Sequence, residues 1–503
     1  MSHTNDTSNL FQTDAQHARS AYRAAKTELH QESGDPIKLA SKPLRVVVRQ
    51  QEGGEAEAWV AESGFVVQRV ALESGKTRQI YRGHLGPVTS VDFYTVPAKD
   101  GKPARELMIS GSWDKSFRVW DVKTKTHIST TVAHTDFIKT ILVLPSLKLL
   151  VTGSSDKDLR LWDLSSLDSF DFDSLSNSAN NTENADSAEP APAHTGAAPP
   201  SAKSLAPLPV ALVLKSHTRP IERLASYAIT ASSSLNNDDE EDRTPTGRIA
   251  LLSADSLGAL KTWEVWREED GKVKGELKSK ARLHEIGIYD IVVGDGEIWT
   301  ASADSSILLS TYSSSSPTTP PKPTLRIPHP SGLKSVLPLP LLLPTLNSTH
   351  LITGASDEAI RTFDLSSAAL DLDDAAANYA ITPTTAGPAK SAAAVAAAGG
   401  REAWNGLPLP PTTTMPGHVS TLDAHSHEVT DLHAYLRLNP ETGKKEAWIL
   451  SASVDGTLRR WKWEDVLQPK LAEKVLVPVE PEEEKSLLTA EEEAELEALM
   501  GDD

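Results

Sequence analysis

Between residues 107 and 121 the polar and apolar positions spell out a hairpin. An apolar run, Leu107-Met108-Ile109, ends at Ser110. A polar turn, Trp113-Asp114-Lys115-Ser116, follows, and then Phe117 and Val119 alternate with polar residues up to Trp120-Asp121. Alternation with period two on both sides of a tight turn predicts two paired strands. Three more β-rich runs lie upstream: LRVVVRQ from 44, EAWVAES from 57 and FVVQRVAL from 65, separated by Gly53-Gly54 and Ser63-Gly64. They predict an antiparallel meander. The first 43 residues follow another period. Phe11, Ala15, Ala18, Tyr22, Ala25 and Leu29 recur at spacings of four and three, an amphipathic helix that ends before Gly34-Asp35-Pro36.

The hairpin recurs. His84 leads to Ser110, Asp114 and Trp120; His134 leads to Thr152, Asp156 and Trp162; His425 leads to Ser451, Asp455 and Trp461. Weaker copies begin at His217, His284 and His329. In the second copy from the end, Phe363 stands where Trp is expected; Ser310 does so in the unit of His284. In the unit of His217, Leu257 takes the Asp position and Asp255 comes two residues early.

These units resemble WD repeats, whose signature is a Gly-His near one end and a Trp-Asp near the other. Gly83-His84 with Trp120-Asp121 matches both ends, and Trp162-Asp163 matches the second. The resemblance implies an all-β, seven-bladed WD-repeat β-propeller, here with disordered inserts and short flanking helices. Six units plus the meander make seven. Once the inserts are set aside, each unit has about 44 residues, within the family's period. The resemblance also implies that the His, Ser/Thr, Asp and Trp of a unit form a buried hydrogen-bonded tetrad: His84, Ser110, Asp114 and Trp120; His134, Thr152, Asp156 and Trp162; His425, Ser451, Asp455 and Trp461.

The expected organisation is a helical extension over 1–43, a propeller over 44–479 and an acidic tail over 480–503. Low-complexity inserts fall at about 168–206, 231–246, 313–323 and 366–416, where apolar periodicity lapses. Two segments compete to close the ring: EKVLVPV at 473–479 and IKLASKP at 37–43. In the tail, Thr489 and Glu492 have the spacing of a capping box, which predicts a short acidic helix bearing Leu496, Leu499 and Met500.

Composition narrows the function. The net charge is −19, but the tail from Glu480 holds eleven acids and one lysine, and residues 168–189 hold six acids and no Lys or Arg. The remainder is near neutral, so the charge gives no basis for direct nucleic-acid binding. Cysteine is missing altogether, which suits a reducing compartment and removes thiolate chemistry. The N-terminus has no basic-then-apolar signal, and VLPLPLLLP at 336–344 is too short to span a bilayer. A cytoplasmic or nuclear protein, not secreted and not membrane-bound, is expected.

Ser, His and Asp occur together, but they do so in every unit, which one catalytic centre would not require. No nucleophile elbow or phosphate-binding Gly loop is present, and His425 with His427 does not make a zinc pattern. No catalytic residue, cofactor or metal is therefore expected. The expected role is a non-catalytic scaffold for one or more proteins, a monomer within a hetero-complex. The resemblance places the turns at each His, and the residue before each tetrad Asp, on one face near the axis. This singles out Trp113 and Phe137, with Lys139, Arg219, Tyr289 and Lys334 in comparable turns, as partner-binding candidates. Trp113 either packs on a neighbouring blade or meets a partner. Two other roles are open: substrate receptor of a ubiquitin-ligase assembly, and assembly factor in ribosome or ribonucleoprotein biogenesis. For the first, the family's Trp-Asp-x-Arg motif is met only by Trp120-Asp121-Val122-Lys123, with Lys in last place.

Overall fold

A computed structural model of the protein describes residues 14–50, 54–98, 102–172, 205–231, 245–366, 415–439 and 442–469. They fall into two units, one containing residues 14–31 and the other residues 32–469. The first contains the helix α1, Asp14–Leu29, where the apolar stripe predicts one. The second is a ring of seven four-stranded antiparallel sheets. The blades span residues 43–82, 88–132, 138–215, 221–282, 288–328, 333–423 and 429–462.

Blade 2 shows how sequence makes a blade. Val88–Val96, Arg105–Ser112, Ser116–Asp121 and His127–Val132 pair in chain order. The two middle strands are buried on both faces, so they read as near-continuous apolar runs rather than clean alternation. Their side chains fill the wedge against the next blade. Phe117 meets Trp162 of blade 3 edge to face, with centroids 5.1 Å apart. The core is thus a set of layers between blades, each lined by residues from two neighbours.

The first strand of each blade lies innermost, against the first strands of both neighbours, and lines the axis. Every one of these strands carries a register shift near its start, which leaves a single bulged residue: Leu44, Thr89, Lys139, Glu222, Tyr289, Lys334 or Thr430. Two residues after the bulge, a backbone N–H on the inner edge of the strand donates to the preceding blade. Ser90 Oγ takes Ile141 N at 2.9 Å, Asp290 takes Val336 N at 3.1 Å, Ser335 Oγ takes Leu432 N at 3.2 Å and Asp431 takes Val46 N at 2.8 Å. Arg45 crosses the axis from blade 1. It pairs with Asp431 of blade 7 at 3.1 Å and Asp290 of blade 5 at 3.3 Å, and Arg223 of blade 4 meets Asp290 at 3.0 Å.

Ring closure comes from the N-terminal side. Ile37 and Lys38 pair with Leu458 and Thr457 as the outer strand of blade 7, so the ring takes in residues before 44. Arg460 anchors this short strand. Its backbone N–H donates to Gly34 O at 2.6 Å and its guanidinium pairs with Asp35. The competing segment, 473–479, lies outside the described residues, as do the tail from 480 and its capping box.

In each blade, the turn before the first strand bonds to the turn between the second and third. Trp113 N donates to Pro87 O at 2.9 Å, and six equivalent bonds occur around the ring, such as Ser155 N to Phe137 O. All these turns therefore share one face. The inserts leave from the other. Residues 172 and 205 follow and precede the third and fourth strands of blade 3. Residues 231 and 245 flank the first turn of blade 4, and 366 and 415 the last turn of blade 6.

Candidate functional site

The turn face is held in shape by the histidines. In blade 2, Trp120 Nε1–H donates to Ser110 Oγ at 3.0 Å, and Ser110 Oγ lies 2.8 Å from His84 Nε2. His84 Nδ1 lies 2.8 Å from Asp114. With the hydroxyl donating to Nε2 and Nδ1–H to the carboxylate, every group has a partner and the imidazole is neutral. Burial lowers the His84 pKa, with Asp114 only partly offsetting it. Burial opposes ionisation of Asp114 too. Hydrogen bonds from His84, Ser116 and the Leu85 N–H outweigh it and hold the carboxyl well below its usual range.

The same chain of bonds occurs in blade 3, where His134 lies 2.9 Å from Asp156 and 2.7 Å from Thr152, with Trp162 3.0 Å from Thr152. In blade 7 the distances are 2.8 Å for His425 to Asp455, 2.8 Å to Ser451 and 2.9 Å from Trp461 to Ser451. Blade 4 is also complete, contrary to its spacing. Asp255, at the end of its strand, reaches His217 at 3.1 Å, and Trp263 donates to Ser253 at 2.9 Å. Its carboxylate also receives Leu257 N and Ala259 N, so it closes the turn from two residues earlier. The Leu257 side chain takes no part and is exposed. Blade 5 keeps His284, Thr300 and Asp304 but has Ser310 in place of Trp. Blade 6 is rewired: Asp357 forms a two-pronged pair with Arg361, and His329 Nδ1 turns to Ser331 O at 2.9 Å. Burial, with the Arg361 charge, pushes the His329 pKa down to about 4.

A repeat-family model for the WD domain, G-beta repeat, matches residues 75–121, 125–163 and 411–462. Each match runs from the outer strand of one blade through the third strand of the next, and the three end on blades 2, 3 and 7, whose tetrads keep the regular spacing. The chain is a WD40-repeat β-propeller. It is similar to an uncharacterised WD repeat-containing protein of Schizosaccharomyces pombe, 29% identical over 144 residues. That match covers 28% of this chain and 38% of the relative. A WD40 propeller is in general a protein-interaction scaffold. No helix among the described residues is long and apolar enough to cross a membrane, and none of their His, Asp and Glu groups is clustered to hold a metal.

On this WD40 propeller the turn face presents the six candidate residues. Trp113 of blade 2 stacks on Phe137 of blade 3, with ring centroids 5.1 Å apart and planes 20° from parallel. Both stay partly open to solvent, 38% and 40% exposed. Trp113 therefore packs on its neighbour and also shows a face to solvent. At the Trp113 position the other blades have Ser63, Ser155, Ser256, Ala303, Ser356 and Val454, so the turn itself does not require an indole. Lys139 pairs with Glu222 at 3.3 Å. Lys334 lies over the Tyr289 ring at 4.4 Å and 3.7 Å from Glu428. Arg219 is exposed.

Three of the six, Lys139, Tyr289 and Lys334, are bulge residues. Sequence reasoning did not reach the rest of that collar: Leu44, Thr89, Glu222 and Thr430. The signal was present, since six of the seven stand five residues after a tetrad His. Thr89 and Thr430 each reach a carbonyl of the next blade, Ile138 O at 2.7 Å and Pro43 O at 3.3 Å. The Trp-Asp of blade 2 is structural. Asp121 is buried and accepts from Arg105 Nε at 2.7 Å and Lys123 N at 2.8 Å.

Proposed function

We propose that this propeller is a non-catalytic scaffold that holds partner proteins within a larger complex, and that it docks them on the turn face. The observation that supports this most is a segregation. Six large apolar side chains, Phe65, Leu85, Trp113, Phe137, Leu257 and Ile286, stand exposed on turns of this one face, all in blades 1 to 5. The long inserts are attached at turns of the opposite face. Large aromatic side chains lose little entropy on binding and dominate interface energetics. Residues 1–31 and 480–503 would act as flanking arms of the scaffold, and a cysteine-free chain suits the cytoplasm or nucleus.

The test is affinity purification of the full chain against a Trp113→Ala, Phe137→Ala double variant, with partners quantified. The variant should stay folded with only a small fall in its thermal midpoint, because it loses the stack but no tetrad bond, and should lose its principal partners. Full retention of every partner by a folded variant would rule out this face.

A further inference from the structure

The stack is set among charges that are not equally available. The acids on the turns of blades 2 to 4 are engaged within the protein. Asp114, Asp156 and Asp255 hold their histidines, Asp136 accepts the Phe137 N–H at 2.8 Å, and Glu222 pairs with Lys139. Three of the cations there stand apart from these pairs. Lys115, Lys157 and Arg219 are exposed and have no ion pair among the described residues. Lys115 and Lys157 occupy the same turn position in adjacent blades, each just after the tetrad Asp and each with a left-handed backbone, φ 69° and 75°. Across the ring, Glu285, Glu358 and Glu428 stand on the turns of blades 5 to 7.

We infer that the sector of blades 2 to 4 takes a short acidic segment of a partner protein whose aromatic or large aliphatic side chain rests on the Trp113–Phe137 stack. This rests on the docking reading above and names its chemistry. The apolar residue supplies the anchor. Flanking carboxylates meet Lys115, Lys157 and Arg219, which steer approach and fix register more than they add affinity. A peptide fits better than a nucleic acid. The sector's own carboxylates at Asp114, Asp136 and Asp156 would repel an unbroken phosphate backbone, whereas a segment with a few spaced acids avoids them.

The charge can be reversed without remaking the turn. Glu358 occupies the equivalent position in blade 6 with φ 72°, so Lys115→Glu and Lys157→Glu are compatible with that backbone. Twelve-residue peptides are selected by phage display on the intact chain, with counter-selection on the Trp113→Ala, Phe137→Ala variant. The strongest peptide is then measured by fluorescence anisotropy. Selected peptides should pair an aromatic with Asp or Glu within about three positions. Lys115→Glu with Lys157→Glu should weaken the best one at least ten-fold, and added salt should weaken it on the native chain. Peptides without acidic bias, or binding unchanged by charge reversal, would overturn the inference. So would an oligouridine competitor that displaces the peptide at lower concentration than the peptide itself. If partners are lost on aromatic substitution but kept on charge reversal, the docking face stands and its acidic preference fails. If no peptide survives counter-selection, both fail.

Discussion

A buried hydroxyl has opposite value at two places in this ring. Ser110 stands between an indole and an imidazole and serves both. Ser310, at the position where four other blades place Trp, has a buried oxygen without a hydrogen-bond partner among the described residues. Ser110→Ala leaves Trp120 Nε1 and His84 Nε2 unsatisfied in a dry site, a loss of about 2–4 kcal/mol. Ser310→Ala removes a buried polar atom that gains nothing, and should leave stability unchanged or raise it by up to about 1 kcal/mol. Urea unfolding midpoints of the two variants check this; equal losses would contradict it. The same scale shows why part of the tetrad pattern could be read and part could not. Spacing along the chain identifies Asp114, Asp156 and Asp455, because regular turns convert fixed spacing into fixed distance. It misses Asp255, because a hydrogen bond depends on reach, and a carboxylate at a strand end can span what a turn residue usually covers.

Among the elements, the closing strand is the least secure. Other blades pair their outer strand over several residues, while Ile37–Lys38 pairs over two. Gly34 secures it by lying flat against Trp461. Its φ is +69°, and a Cβ there would come within 2.5 Å of the indole. Gly34→Ala would meet both the clash and the left-handed strain, costing about 1–3 kcal/mol locally. Hydrogen exchange should speed up in Thr457–Lys462 and leave Asp158–Asp163 of blade 3 unchanged. Uniform exchange across the ring would mean that the strand is no independent latch. Both candidate closers had strand-like sequences. Choosing between them required knowing that Arg460 points at Gly34 and Asp35, a relation across more than 400 residues that no local pattern encodes.

For the whole ring, first and last blades have no direct chain connection between their inner strands, and the axis supplies one. Arg45 lies between Asp431 and Asp290, both almost fully buried. Removing one member of a buried pair leaves an uncompensated charge, so Arg45→Leu should cost roughly 3 kcal/mol. Adding Asp431→Asn removes one stranded charge while keeping an oxygen for the Val46 N–H, and should recover part of that loss. A double variant no more stable than the single one would show that the pair does not act as a unit.

The recurrence of His, Ser/Thr, Asp and Trp, with the resemblance to WD repeats that it carries, was enough to give an all-β ring of seven. Each blade is a local hairpin structure that repeats its own hydrogen-bond chemistry every few dozen residues. It also singled out Trp113, since an indole in a polar turn has no local reason to be there. The tertiary structure decided the rest: the strand that closes the ring, the rewiring of blade 6, the axial ion pairs, and the stacking of Trp113 on Phe137 from the next blade. All of these are contacts between blades, set by which bulges, carboxylates and rings meet when seven separate hairpin sheets are brought around one axis.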